Sequence, residues 1–161
     1  MKRSLKITVL TLTALVLIGS VSVMATERPF ALNARGIATF ITDENGNPIQ
    51  ANVSSSGTAT HLGLTTTVGT ITFSPDPENP GRILTSGIGT MTGANGDTVQ
   101  LELKGALVPT PGSATATDKF EVRFLGGTGR FAGAHGTGTG IVVVNLLTGA
   151  FEITIVGDIN Y

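Results

Sequence analysis

The chain has 161 residues, with 10 lysines and arginines against 11 aspartates and glutamates, and it has no cysteine. Disulfide bonds and a lipid-anchored N-terminal cysteine are therefore excluded. Three of the ten cations lie in the first 25 residues, so the remainder keeps seven against all 11 acids, a net charge of −4. Those seven cations are scattered singly, which predicts neither a nucleic-acid-binding surface nor a polybasic membrane patch.

The beginning of the chain has the pattern of a cleavable signal peptide. Three cations precede an apolar stretch at residues 7–19, which is too short to span a bilayer comfortably. Val23 and Ala25 then place small side chains at the −3 and −1 positions that a signal peptidase reads. We therefore predict a signal peptide at residues 1–25, cleavage after Ala25, a secreted or periplasmic protein, and one mature domain at residues 26–161. A retained N-terminal membrane anchor is the alternative.

The rest of the chain carries the signals of an all-β domain. No window has a sustained helical period of apolar residues, and Thr, Val, Ile, Gly and Phe dominate between frequent turn signals. Asn45-Gly46 and Asn95-Gly96 are strong hairpin turns, and three prolines exclude a strand at residues 75–81. Eight strands are predicted, at residues 30–42, 49–60, 62–74, 82–93, 98–107, 116–125, 135–144 and 150–161.

These short connections favour one architecture. Eight strands in meander order predict an antiparallel up-and-down barrel, because closure removes the two edges that an open sheet would have to protect. A two-sheet sandwich made of the same strands is the alternative.

Side chains alternate clearly in the last strands. Apolar residues share one face of residues 116–125, and Lys119, Glu121 and Arg123 share the other. Since the apolar face of a small barrel normally lines its interior, a small apolar ligand would meet this face. The predicted ligand-lining residues are Phe120, Val122, Phe124, Phe151 and Ile153.

Candidates for catalysis are few. Glu121 and Arg123 are two residues apart and therefore project to one face, where they would form an acid–base pair if that face pointed inward. If it points outward, they are ordinary solvated charges. His61 is the third candidate; its alternative role is a backbone hydrogen bond at the bend beside Gly63. No metal site and no cofactor are predicted, because the two histidines lie far apart in sequence and no nucleophile or phosphate-loop motif occurs.

A glycine-rich bend lies between the sixth and seventh predicted strands. Its structural residues are predicted to be Gly126, Gly127, Gly129, Phe131 and Gly133. The bend resembles the segment near the C-terminal end of allene oxide cyclase-like and dirigent-like barrel domains. Residues 58–63 are similar to an upstream element of small exported bacterial members of that group.

The resemblance implies an eight-stranded antiparallel barrel whose lumen can hold a small apolar molecule, and it implies frequent homotrimers. Enzymes of these families cyclise an oxygenated fatty acid or steer the coupling of phenoxy radicals. The sequence contains no acidic, aromatic or cysteine motif that matches their catalytic sites.

Three functions follow as hypotheses. The first is a non-catalytic binding or structural module for a small apolar ligand, and the second is an isomerase or cyclase acting on an oxidised lipid. A titratable group with a shifted pKa at the lumen wall would favour the enzyme, and a purely apolar lumen would favour the module. The third is an eight-stranded outer-membrane barrel, suggested by the apolar alternation that ends at Tyr161. One tyrosine and no tryptophan cannot build an aromatic girdle, so stable membrane insertion is not predicted.

Overall fold

The computed structural model describes residues 26–161, and the predicted signal peptide lies outside them. No helix within this described range is long and apolar enough to cross a membrane. The elements in chain order are β1 (Arg28–Thr42), β2 (Pro48–Ala59), β3 (Gly63–Pro75), β4 (Ile83–Gly93), β5 (Thr98–Pro109), β6 (Thr115–Gly127), a 3₁₀ helix (Gly129–Phe131), β7 (His135–Asn145) and β8 (Ala150–Asn160).

The strands form a closed barrel. Each strand pairs antiparallel with the next, and β8 returns to β1, with Arg28 opposite Ile159 and Ile37 opposite Ala150. The predicted all-β, eight-stranded antiparallel barrel is confirmed, and the two-sheet sandwich is wrong. Closure pairs both long edges of every described strand, so the backbone hydrogen-bonding groups of the sheet are satisfied within it.

The strand boundaries follow local signals in the sequence. Gly46 and Gly96 adopt positive φ values of 82° and 86° in the two Asn-Gly turns, a conformation that glycine reaches without steric cost. One detail of the prediction is wrong, because Pro75 is the last residue of β3. A proline is tolerated there because the end of a strand does not need its missing N–H donor.

Side chains that point inward form two apolar clusters, one towards each end of the barrel. We call these the Phe131 end and the Phe151 end. At the Phe131 end lie both chain ends of the barrel and the turns 60–62 and 94–97. At the Phe151 end lie the loops 43–47, 76–82, 110–114 and 146–149.

The 3₁₀ helix closes the Phe131 end. Phe131 has no exposed surface, and its ring lies 4.6 Å from that of Tyr161. The neighbouring Arg130 lies 3.8 Å from Asp97 Oδ2 and donates a hydrogen bond to the carbonyl oxygen of His61. The barrel is therefore covered at this end by an aromatic side chain that polar contacts hold in place.

Candidate functional site

An apolar cavity of about 110 Å³ lies inside the barrel, between its middle and the Phe151 end. Its wall is almost entirely hydrocarbon, contributed by every one of the eight strands. The largest side chains that line it are the rings of Phe40, Phe73, Phe120 and Phe151.

The cavity exists because small residues occupy inward positions on one side of the barrel. Ala38, Ala51, Ser55, Gly69 and Gly89, from β1 to β4, all line it. An eight-stranded barrel is only just wide enough for its side chains to fill the interior, so a run of small side chains leaves space that their neighbours do not reach. At the Phe131 end larger side chains point inward, among them Phe30, Phe124 and Phe131, and they are buried against one another.

The predicted ligand-lining residues divide into two groups. Phe120, Phe151 and Ile153 line the cavity. Val122 and Phe124 also point inward, but they belong to the packed core at the Phe131 end. The ring of Phe124 lies edge-on against Phe30, with 4.8 Å between the ring centroids. Only the first group is placed to touch a ligand in this cavity.

The predicted catalytic candidates lie outside the cavity. Glu121 and Arg123 are exposed on the outer face of β6, and Arg123 Nη1 lies 3.8 Å from Glu102 Oε2. His61 lies at the Phe131 end with a positive φ of 69°, and its Nε2 is 3.0 Å from the carbonyl oxygen of Pro29. The structure therefore does not bring these three side chains together at one site.

Asp118 is the titratable residue of the cavity, and the sequence analysis missed it. It points inward from β6, lines the cavity and is 4% exposed. Burial raises the pKa of its carboxyl, while the Thr85 hydroxyl, the Ala106 amide and the Arg82 guanidinium favour the charged form and act against that rise. A signal was available, because Asp118 has the same alternation parity as Phe120, Val122 and Phe124.

The carboxyl of Asp118 occupies space left by a glycine. Thr85 on β4 pairs with Gly105 on β5, and Gly105 pairs with Phe120 on β6. A Cβ atom built on Gly105 would lie 2.6 Å from Asp118 Oδ1. The Thr85 hydroxyl favours the charged form of this carboxyl, but by strict hydrogen-bond geometry neither Asp118 Oδ1 nor Thr85 Oγ1 has a partner among the described residues. Asp118 Oδ1 is therefore a buried acceptor without a close hydrogen bond from residues 26–161.

The glycine-rich bend serves the fold rather than the cavity. Gly126 and Gly129 have positive φ values of 105° and 58°, and a Cβ on Gly127 would overlap the carbonyl oxygen of Thr98. Gly133 differs from the other predicted bend glycines. Its φ is not positive, and no described atom lies within 4 Å of where its Cβ would be.

Neither a metal site nor a relationship to a known protein identifies the role of this cavity. Within residues 26–161 there is no cluster of three or more His, Cys, Asp or Glu side chains that could hold a metal ion. The sequence matches no family model, no curated protein and no solved structure. The fold and the site together define a small closed β-barrel with an apolar internal cavity.

Proposed function

We propose that this barrel is a non-catalytic module that binds a small apolar molecule in its cavity. The observation that carries the proposal is the apolar lining, to which Phe40, Phe73, Phe120 and Phe151 contribute their rings. An apolar cavity of about 150 Å³ engineered in another protein stays dry and binds benzene. A cavity of about 110 Å³ is of the same order, so it suits a compact molecule of about six non-hydrogen atoms.

The physical basis is the dispersion energy that the side chains around an empty cavity lack. Side chains that face a void have no atoms on one side, so a ligand of the right shape restores those contacts. The cavity is also bordered by adaptable side chains, because Phe40 and Phe73 are only partly buried at the Phe151 end. The resemblance to allene oxide cyclase-like barrels, whose lumen holds a small apolar molecule, supports the same proposal.

Titration with small cyclic hydrocarbons tests the proposal. Benzene and methylcyclopentane should bind to the wild-type protein, as followed by ligand-observed NMR. The matched variants are Ala51→Leu, which adds volume to the cavity wall, and Leu64→Ala, which changes an exposed side chain on the outer face of β3. Binding should be lost in the first variant and unchanged in the second. Failure of both hydrocarbons to bind to the wild type would overturn the proposal.

A second candidate function is an isomerase or cyclase that acts on an oxidised lipid. The observation in its favour is Asp118, a buried acid with a raised pKa at the cavity wall, which is the feature stated above as favouring an enzyme. A group of that kind is typical of acid–base sites. The module is preferred because Asp118 is the one titratable residue among the described residues that line the cavity, so it has no acid–base partner there. Turnover of an oxidised fatty acid that disappears in Asp118→Asn, while the fold stays intact, would establish the enzyme and contradict the module.

A further inference from the structure

We propose that Asp118, at the wall of the apolar cavity, is a charged subsite for the ammonium group of a small organic amine. The hydrocarbon part of the same molecule would fill the apolar cavity. This inference rests on the proposed function, and it adds the chemical class of the ligand.

The first argument is the unbalanced charge inside the barrel. Of the charged residues in the described strands, Asp118 alone is buried. The cation that acts on it is Arg82, whose Nε lies 3.6 Å from Asp76 Oδ2, so that its ion pair is with another carboxylate. Lys104 and Lys119 are exposed on the outer face. A buried charge is costly unless it is paired, and a cationic ligand would supply the missing partner.

The second argument is the carboxyl oxygen Oδ1 of Asp118. It is buried, and although the Thr85 hydroxyl and the Ala106 amide favour the charged carboxyl, neither reaches Oδ1 with the geometry of a hydrogen bond. An ammonium group has three N–H donors and no acceptor, so it complements a site that presents acceptors. A purely apolar ligand would leave Oδ1 without a partner, which is a destabilising arrangement for a buried polar atom.

The third argument is the position of Asp118 in the cavity wall. Its carboxyl fits inside the barrel because Gly105, on the neighbouring strand, has no Cβ, which would lie 2.6 Å from Oδ1. Asp118 lines the cavity, and the rest of the wall is almost entirely apolar. One polar group on an apolar wall is the arrangement that orients a ligand with one polar group.

A set of isosteric probes tests the subsite. Cyclopentylamine, cyclopentanol and methylcyclopentane have the same number of non-hydrogen atoms and similar shapes, but only the amine is charged at neutral pH. We expect the wild-type protein to bind cyclopentylamine at least about tenfold more tightly than methylcyclopentane. In Asp118→Asn this preference should disappear. Glu121→Gln is the matched control, because it removes an exposed acid from the same strand.

The possible outcomes separate the two proposals. If methylcyclopentane binds and cyclopentylamine binds no more tightly, the amine subsite is wrong and the proposed function stands. Tighter binding of cyclopentanol than of cyclopentylamine also overturns the subsite, because it shows that charge does not contribute. If no probe binds, the proposed function fails and the subsite with it. Even if Asp118→Asn does not fold, the affinities of the wild-type protein for the three probes test the subsite.

Discussion

The guanidinium of Arg28 and the ring of Tyr161 are in direct contact, with 4.5 Å between Cζ and the ring centroid. Nη1 of the same guanidinium donates a hydrogen bond to the tyrosine hydroxyl oxygen over 2.9 Å. Since Tyr161 also packs against Phe131, the start of the first strand and the residue after the last strand cover the same end of the barrel. This end is closed by side chains, and the cavity lies towards the other.

Phe131→Ala should destabilise the barrel by about 3–5 kcal/mol, because it removes a fully buried ring and leaves a void among well-packed neighbours. Urea unfolding followed by circular dichroism would measure this loss. Leu147→Ala is the matched control, since that side chain is 84% exposed in the loop 146–149 and its removal should change little. Equal losses in the two variants would show that the 3₁₀ helix does not cover the core.

Gly127→Ala and Gly129→Ala should each cost more than about 1 kcal/mol of folding free energy. In both, the added Cβ would overlap a neighbour, Thr98 for the first and Asp97 for the second. Gly46→Ala should cost less, because its φ is positive but no described atom lies within 4 Å of the added Cβ.

Gly133→Ala is the most informative control for these glycines. Gly133 lies in the same bend, but its φ is not positive and no described atom lies within 4 Å of the added Cβ. Thermal melts of the four variants would rank them. If Gly133→Ala and Gly46→Ala lose as much stability as the other two, the close approach of the backbone in the bend is not what limits substitution.

Asp118→Asn should change how stability depends on pH. Below the ordinary carboxyl pKa of 3.8 the group is protonated in both the folded and the unfolded chain, and it contributes nothing to the dependence. As the pH rises above 3.8, the unfolded chain loses the proton first, because burial raises the pKa in the folded state. Wild-type stability therefore falls relative to the variant by up to about 1.4 kcal/mol per pH unit, until the folded-state pKa is passed.

Comparing the wild type with Asp118→Asn separates the pH dependence caused by Asp118 from the opposing pH dependence caused by Asp76. Hydrogen bonds from the Glu78 backbone and the Asn79 side chain and backbone hold the pKa of Asp76 below its ordinary value, so Asp76 stabilises the fold at neutral pH and that stability is lost in acid. This contribution is present in both proteins and cancels in the difference. Asp158→Asn, which changes an exposed carboxylate, is the control. A wild-type-minus-variant difference that does not change with pH would contradict the prediction.

The mature protein should dissolve in water without detergent and should form a trimer. Charged side chains such as Glu121 and Glu152 on the outer faces of the strands favour solubility. The trimer follows from the resemblance, and exposed aliphatic side chains on neighbouring strands, among them Val68 and Ile88, are available for subunit contacts. Light scattering measures both properties. The mass of a single chain would contradict the trimer, and recovery only with detergent would revive the outer-membrane hypothesis.

Export should remove residues 1–25. The prediction depends on the order of cations, apolar stretch and small residues that ends at Ala25. Intact mass spectrometry of protein recovered from the exported fraction should show a chain that begins at Thr26. A recovered mass that still includes the apolar stretch 7–19 would favour the membrane anchor instead.

Much of the fold was predictable because its signals are local. Alternation in β6 and β8 and the turns at Asn45-Gly46 and Asn95-Gly96 indicated strands, turns and inward faces correctly. The 3₁₀ helix was not predictable, because its three residues are held by contacts with Tyr161 and His61 that are distant in sequence. A three-residue helix is also too short to show a repeating pattern of apolar residues in the sequence.

The candidate site was harder to predict for a related reason. An aspartate near the start of a strand is usually solvated, so the residue type predicts an exposed side chain at position 118, although the alternation of β6 places Asp118 inside. Its importance depends on Gly105, which belongs to another strand and makes room for the carboxyl. The cavity itself depends on small residues from several strands that meet only when the barrel closes.

The seam between β1 and β8 has a consequence for how the chain folds. Every other strand pair joins neighbours in sequence, whereas this seam brings together residues as far apart as Arg28 and Tyr161, 133 positions along the chain. The entropy of closing one long loop is therefore concentrated in a single step, which we expect to limit the folding rate. A circular permutant that joins these two ends and opens the loop 43–47 would convert the seam into a hairpin. The same barrel would then form with a different last step.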